Sequence, residues 1–121
     1  MKDENAKIFN KYIRERDKYK PCISSGIPYK SDFDAGHLFS VKQYSALRFH
    51  EDNVHGQSIG DNRFKEGNIQ DYFINVEKRI GKEKLNQLVK LAEKSKRTVK
   101  KWTLVELKQI RDKYNKKIKE L

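Results

Sequence analysis

Apolar side chains recur at helical spacing near both ends of the chain, and the pattern changes character in the middle. Residues 3 to about 19 carry Ile8, Phe9, Tyr12 and Ile13 on one stripe with Lys and Arg elsewhere, which predicts an amphipathic helix. Pro21 ends it, because proline disfavours the helical conformation in the residue before it. Residues 21–32, with Pro21, Gly26, Pro28 and several serines, read as loop. "FDAGHLFSV" and "SALRFHEDNVHGQSI" are short, partly alternating and aromatic, and predict two short strands joined by a loop. From about Asn62 the helical period returns: Ile69, Tyr72, Phe73, Val76 and Ile80 share a face, and Gly81 fits a C-cap. A further helix turns Leu85, Leu88, Leu91 and Ala92 inward. "KSKRTVKKW" is a basic linker, and Thr103 with Glu106 three residues on forms a capping box. The last helix then carries Leu107, Ile110, Tyr114, Ile118 and Leu121.

This order predicts an α+β, mainly helical protein: an N-terminal helix over about 1–20, a ββα region over 21–81 and C-terminal helices over 82–121, in one domain of 121 residues. Composition adds a partner. Lys and Arg number 28 against 17 Asp and Glu, a net charge of +11, which attracts a polyanion such as nucleic acid. Lys96, Arg97, Lys100 and Lys101 cluster in the linker, as expected of phosphate contacts that give affinity without reading sequence. A solvated lysine surface is the competing account. Trp102 and Tyr114 have rings that can stack on unpaired bases, but at helix edges they read more readily as core. The single cysteine rules out an internal disulfide, and there is no apolar signal core and no apolar run of the ~20 residues a membrane span needs. The expectation is a cytoplasmic protein without a membrane partner.

All three histidines, His37, His50 and His55, lie in the middle region among Asp34, Asp52, Asn53, Asp61, Asn62 and Asn68. A histidine on one strand, Asn-x-His on the next and Asn-x-x-Lys opening a helix is the layout of a ββα-metal, or HNH, nuclease. There a histidine takes a proton from water, and oxygen ligands hold a divalent ion against the scissile phosphate. Small polar clusters also simply close turns, so spacing alone leaves both readings open. A second motif is truncated. In "PCISSG", Cys22 sits where the first ligand of a Cys-x-x-Cys knuckle would, but the fourth position is Ser25.

"CISSG", "FDAGHLFS", "LRFHEDNVHGQ", "DNRFKEGN", a helix ending in "RIG" and the C-terminal "WTLVELKQIRDKYNKKIKEL" together resemble the NinG (Rap) recombination proteins of lambdoid phages and prophages. The resemblance implies an HNH-like fold and endonuclease action on branched DNA intermediates in a bacterial host cell. It also implies two Cys-x-x-Cys pairs holding a structural zinc, at positions that are Cys22, Ser25, Ser58 and Asp61 in this chain. With three of the four thiolates gone, the zinc is expected to be lost, because a serine hydroxyl is a poor ligand. Packing by Phe33, Phe39, Leu47 and Phe49 is expected to hold the knuckles instead. By the same resemblance His37 is the expected general base, Asn53 the residue that holds the loop and orients it, and His55 an additional catalytic or phosphate-contacting group. Asp34 and Asn62 are the expected ligands of a magnesium or manganese ion, and Lys65 a phosphate contact. In many HNH nucleases the acidic ligand directly precedes the histidine, a position held here by Gly36. The rival expectation is a non-catalytic DNA-binding recombination accessory whose active site decayed with the cysteines, and a third is a basic helical adaptor. The near-symmetric arms of a junction are compatible with a homodimer, and other recombination proteins are natural partners, though no residue pattern demands either.

Overall fold

A computed structural model describes residues 2–96 and 98–121, with Lys2 described by its backbone only. The helices are α1 (Lys2–Arg16), α2 (Ile69–Ile80), α3 (Lys82–Ser95) and α4 (Leu104–Lys119), and the strands are β1 (Asp34–His37) and β2 (Val54–Gln57). Single helical turns at Ser45–Leu47 and Glu51–Asn53 interrupt the connection between the strands, so most of "SALRFHEDN" is not extended. The strands pair antiparallel with Asp34 opposite Gln57, Ala35 opposite Gly56, Gly36 opposite His55 and His37 opposite Val54.

Two apolar clusters hold helices to this short ribbon. In the first, α1 and α4 bury Phe9, Tyr12, Ile13, Leu107 and Tyr114 with Phe49 and Val54. Phe9 meets Tyr114 edge-on at 4.8 Å and Phe49 at 5.6 Å, geometries that favour aromatic pairs beyond their buried area. Trp102 packs edge-on against Phe49 and donates its indole N–H to the Ser45 carbonyl, so both it and Tyr114 belong to the core. Glu51 pins the cluster: its carboxylate accepts from Tyr12, Tyr114 and Lys117. In the second cluster, α2 and α3 bury Tyr72, Val76, Leu88 and Ala92 against Ile23, Leu38 and Leu47. Leu91, expected to face inward, is exposed.

The helix ends follow the sequence at two places. Thr103 and Glu106 form the reciprocal capping box that opens α4, and Gly81, at φ 91°, separates α2 from α3. The start of α2 differs from expectation. Asn62 does not open it; residues Gly60–Phe64 form a wide π-helical turn, and Glu66, Gly67 and Asn68 all take left-handed φ values of 50°, 84° and 45° before the α-helix begins at Ile69. Among the described residues, no helix is long and apolar enough to cross a membrane.

Candidate active site

His37, at the end of β1, and Asn62, on the π-helical turn, line one cleft of about 570 Å³ with Glu66, Ile69 and Phe73. Two of the predicted site residues therefore converge. His37 Nε2 lies 3.1 Å from the carbonyl oxygen of Arg48. A carbonyl only accepts, so Nε2 carries the hydrogen and Nδ1 keeps the free lone pair. Burial, aided by the Arg48 charge and opposed by the hydrogen bond to the Arg48 carbonyl, pushes the imidazole pKa below its ordinary value. His37 is thus neutral at physiological pH, with one nitrogen able to take a proton.

Asn53 does not reach the cleft. It is fully buried, and its amide closes the loop between the strands: Oδ1 accepts from the Phe39 N–H at 2.8 Å, and Nδ2 donates to the carbonyls of Phe39 and Leu47. That loop presents the Arg48 carbonyl, so Asn53 acts on His37 at one remove. Asp34 does not line the cleft, and by the strand register it stands on the face opposite His37; Asn62 reaches it, with Nδ2 donating to Asp34 Oδ2 at 3.0 Å. The guanidinium of Arg63 takes both Asp34 oxygens at 3.0 Å. Gly36 explains why no carboxylate stands directly before His37. A Cβ there would overlap the buried carboxamide of Gln57, so only glycine fits.

His55 stands apart from the cleft. The register pairs it with Gly36 rather than with His37, one position off, so the two histidines project from opposite faces of the ribbon. It is buried, and its Nδ1 meets the Tyr72 hydroxyl at 3.1 Å, which itself donates to the Gly36 carbonyl. Burial first, then the charges of Arg16, Arg79 and Lys20 against the opposing Asp17, lower its pKa to about 3. Nothing in this arrangement brings His55 to a reacting atom at the His37 cleft.

The four knuckle positions still meet. Cys22 Sγ accepts from the backbone N–H of Ser58 at 3.3 Å and of Ser25 at 3.5 Å, and Asp61 lies 3.8 Å away. Asp61 is a hydrogen-bond hub: its carboxylate accepts from Ser24 Oγ at 2.5 Å and Asn68 Nδ2 at 3.2 Å, and its backbone N–H donates to Ser58 Oγ. Burial opposes ionisation of Asp61, but the bonds from Ser24 and Asn68 and the Lys65 charge outweigh it and hold the pKa below the ordinary carboxylate value. Burial likewise opposes the Cys22 thiolate, but bonds from Ser24, Ser25 and Ser58 bring its pKa down to about 7. One thiol, one occupied carboxylate and two hydroxyls do not fit a closed tetrahedral zinc. Leu47 is buried and Phe39 partly so in the cluster that also holds Ile23, next to Cys22, whereas Phe49 is buried in the α1–α4 cluster and Phe33 is buried outside both.

The model of the family described as "Bacteriophage Lambda NinG protein" matches residues 1–121. The chain belongs to the NinG family. It is 37% identical over 112 residues to Protein ninG of Escherichia phage lambda, covering 93% of this chain and 52% of that protein. It is 38% identical to Protein ninG of Enterobacteria phage H19B and 36% identical to that of Salmonella phage P22, in each case over 93% of this chain and 53% of the relative. The chain thus spans about half the length of the curated relatives it matches. No solved structure matches it.

In this NinG chain the predicted basic cluster is uneven. Lys96 and Lys101 are exposed, and Arg97 lies outside the described residues. Lys100 is half-buried, with Nζ 2.8 Å from Glu106 and over the Trp102 ring, so it serves the start of α4. Lys65 is exposed and loosely paired with Asp61 at 3.8 Å. Sequence reading missed Glu66, the carboxylate on the cleft, and Arg63, the partner of Asp34. Glu66 gave no signal, because a left-handed glutamate looks like any other helix-forming residue in sequence.

Proposed function

We propose that this NinG-family protein acts in phage DNA recombination as a metal-dependent endonuclease on branched intermediates. The observation that carries the reading is the cleft shared by His37 and Asn62, with the His37 tautomer set by the Arg48 carbonyl and the loop behind it braced by Asn53. In this reading His37 Nδ1 takes the proton from a water aligned on the scissile phosphate. Asp34 offers a carboxylate and Asn62 a carboxamide whose nitrogen faces it; with that amide turned to present its oxygen, the pair would suit magnesium or manganese, ions commonly held by one or two carboxylates plus substrate phosphate. Arg63 competes for Asp34 through a bidentate pair, stronger than an ordinary surface ion pair, and a divalent ion would have to displace it. Bound there, the ion would offset charge on the leaving oxygen. The net charge of +11 favours a polyanionic substrate.

The alternative is a DNA-binding accessory without cleavage. One observation favours it: among the described residues, no group of three or more His, Cys, Asp and Glu side chains is placed to hold a metal ion. Nicking of a synthetic four-way or flapped DNA with magnesium or manganese decides between them. His37→Ala is expected to abolish nicking and keep junction affinity, because the base acts on the transition state. Wild-type protein that binds the junction and never cuts it in any divalent ion would leave the accessory reading. Protein that does not bind DNA at low salt would overturn both.

A further inference from the structure

We propose that Phe64 is a wedge that stacks on an unpaired DNA base, with Arg63 and Lys65 holding the flanking phosphates. The proposal rests on the DNA-binding reading above. Phe64 is 81% exposed, the most exposed large apolar side chain among those described. Its sequence neighbours are cations whose side chains are 58% and 69% exposed. A protein-docking anchor is usually set in an apolar patch. In sequence Phe64 is instead flanked by Arg63, Lys65 and Glu66, all exposed, and its two immediate neighbours are the cations a nucleic-acid strand needs.

The turn that carries it is rigid. Asn62 N–H donates to the Ser58 carbonyl, Gly67 N–H to the Asp61 carbonyl and Asn68 N–H to the Lys65 carbonyl, at 2.8–2.9 Å. The buried Gln57 amide donates to the Gly67 carbonyl from below and ties it to Ser24. Three successive left-handed residues persist only because these bonds over-determine them, and such strain concentrates at functional sites. A wedge held this way loses little freedom on binding. Phe64 also lies two residues from both Asn62 and Glu66, which line the cleft. Two residues of chain span at most about 7 Å, roughly two nucleotide steps of 3.4 Å. Stacking at Phe64 would therefore set the cut within a few nucleotides of the unpaired base, and an Arg63 drawn to phosphate would release Asp34.

The test compares wild type, Phe64→Ala and Phe64→Trp on a flapped DNA carrying 2-aminopurine at the unpaired position and on plain duplex of equal length. Because Phe64 is 81% exposed, both variants should unfold in urea close to the wild-type midpoint. Wild type is expected to quench the 2-aminopurine. Phe64→Ala should lose the quenching and bind flapped DNA about tenfold more weakly, in line with the loss of one base–aromatic stack. Its duplex affinity should change less than twofold, and Phe64→Trp should retain flap affinity. Flap binding by wild type without quenching, or a Phe64→Ala variant unaltered or weakened equally on both substrates, overturns the wedge and leaves the DNA reading standing. Wild type that binds neither substrate overturns both.

Discussion

Replacing Asp61 tests how much a buried hydrogen-bond hub contributes to the stability of this chain. Its carboxylate accepts from Ser24 Oγ and Asn68 Nδ2, with Cys22 more distant. Hydrogen bonds to a charged group contribute about 1.5–3 kcal/mol each. The Lys65 contact adds little, since that side chain is largely in solvent. Ser24 keeps a bond from Gln57 when Asp61 is lost, which lowers the total. Asp61→Ala is therefore expected to cost about 3 kcal/mol. At an m-value of about 1.5–2 kcal/mol/M, the urea midpoint should fall by about 1.5–2 M. Asp61→Asn, which keeps the shape and loses the charge, should lie about halfway. The double variant with Ser24→Ala should destabilise by clearly less than the sum of the singles, because the two share one bond. The folded pKa of Asp61 is lowered, so its contribution is present above the unfolded carboxylate value of ~3.9 and disappears as pH falls through the lower folded value. Asp61→Asn should accordingly flatten the acid limb of stability below about pH 4. An Asp61→Ala variant within about 0.5 kcal/mol of wild type would refute the hub, being no larger than an ordinary surface change. So would wild-type helix content that collapses in chelator, since metal would then be supplying the folding free energy.

If His37 Nδ1 is the base, nicking should rise with pH through a midpoint below the ordinary imidazole value of ~6.5 and level off above it; a midpoint well above that value refutes the assignment. His55 has a folded pKa lowered to about 3, so its stability contribution is present above ~6.5 and is lost at about 1.4 kcal/mol per pH unit as pH falls toward 3. Urea midpoints of His55→Gln should lose much of that slope between pH 6.5 and 4.5, and an unchanged slope would place the titration elsewhere. Asn53→Ala removes bonds to Phe39 and Leu47 and orphans a backbone N–H, at an expected cost of about 3 kcal/mol in urea unfolding. As a positioning residue it should also shift the pH midpoint of nicking; full stability with an unmoved midpoint would show that it does not brace His37.

The helices were legible because burial and period coincide. Phe9, Tyr12 and Ile13 on α1 and Tyr72 and Val76 on α2 are the buried positions, as their spacing predicts. The Thr103–Glu106 box was legible because its two bonds are local. The start of α2 was not, because nothing in "DNRFKEGN" except Gly67 marks three left-handed residues, and Glu66 adopts its φ only under bonds from Gln57 and Asp61 that are distant in sequence or in backbone position. The candidate site divides in the same way. His37 and Asn62 line the same cleft. His55 separates from them because strand register, which the sequence pattern did not fix to one residue, decides which face each histidine takes.

The residues around Cys22 and the cleft form one hydrogen-bonded unit. Asp61 holds Ser24 and Asn68 through its side chain and Gly67 through its carbonyl. Gln57 links Ser24 to the same glycine. Both ends of the segment bearing Asn62, Phe64 and Glu66 are therefore tied to Asp61 and, through Gln57, to Ser24. Energy and geometry separate here. A structural zinc supplies about 10–16 kcal/mol in small domains that are otherwise unfolded, far more than this network of a few hydrogen bonds. The fold does not depend on the network for that energy, because two aromatic and aliphatic clusters already clamp the ribbon from α1 and α4 on one hand and α2 and α3 on the other. What the turn needs from its anchor is position. Directional bonds at 2.5–3.2 Å supply that at a small fraction of the free energy of metal binding. Once the core carries the stability, hydroxyls and a carboxylate can hold the turn in place at the edge of the cleft that His37 lines.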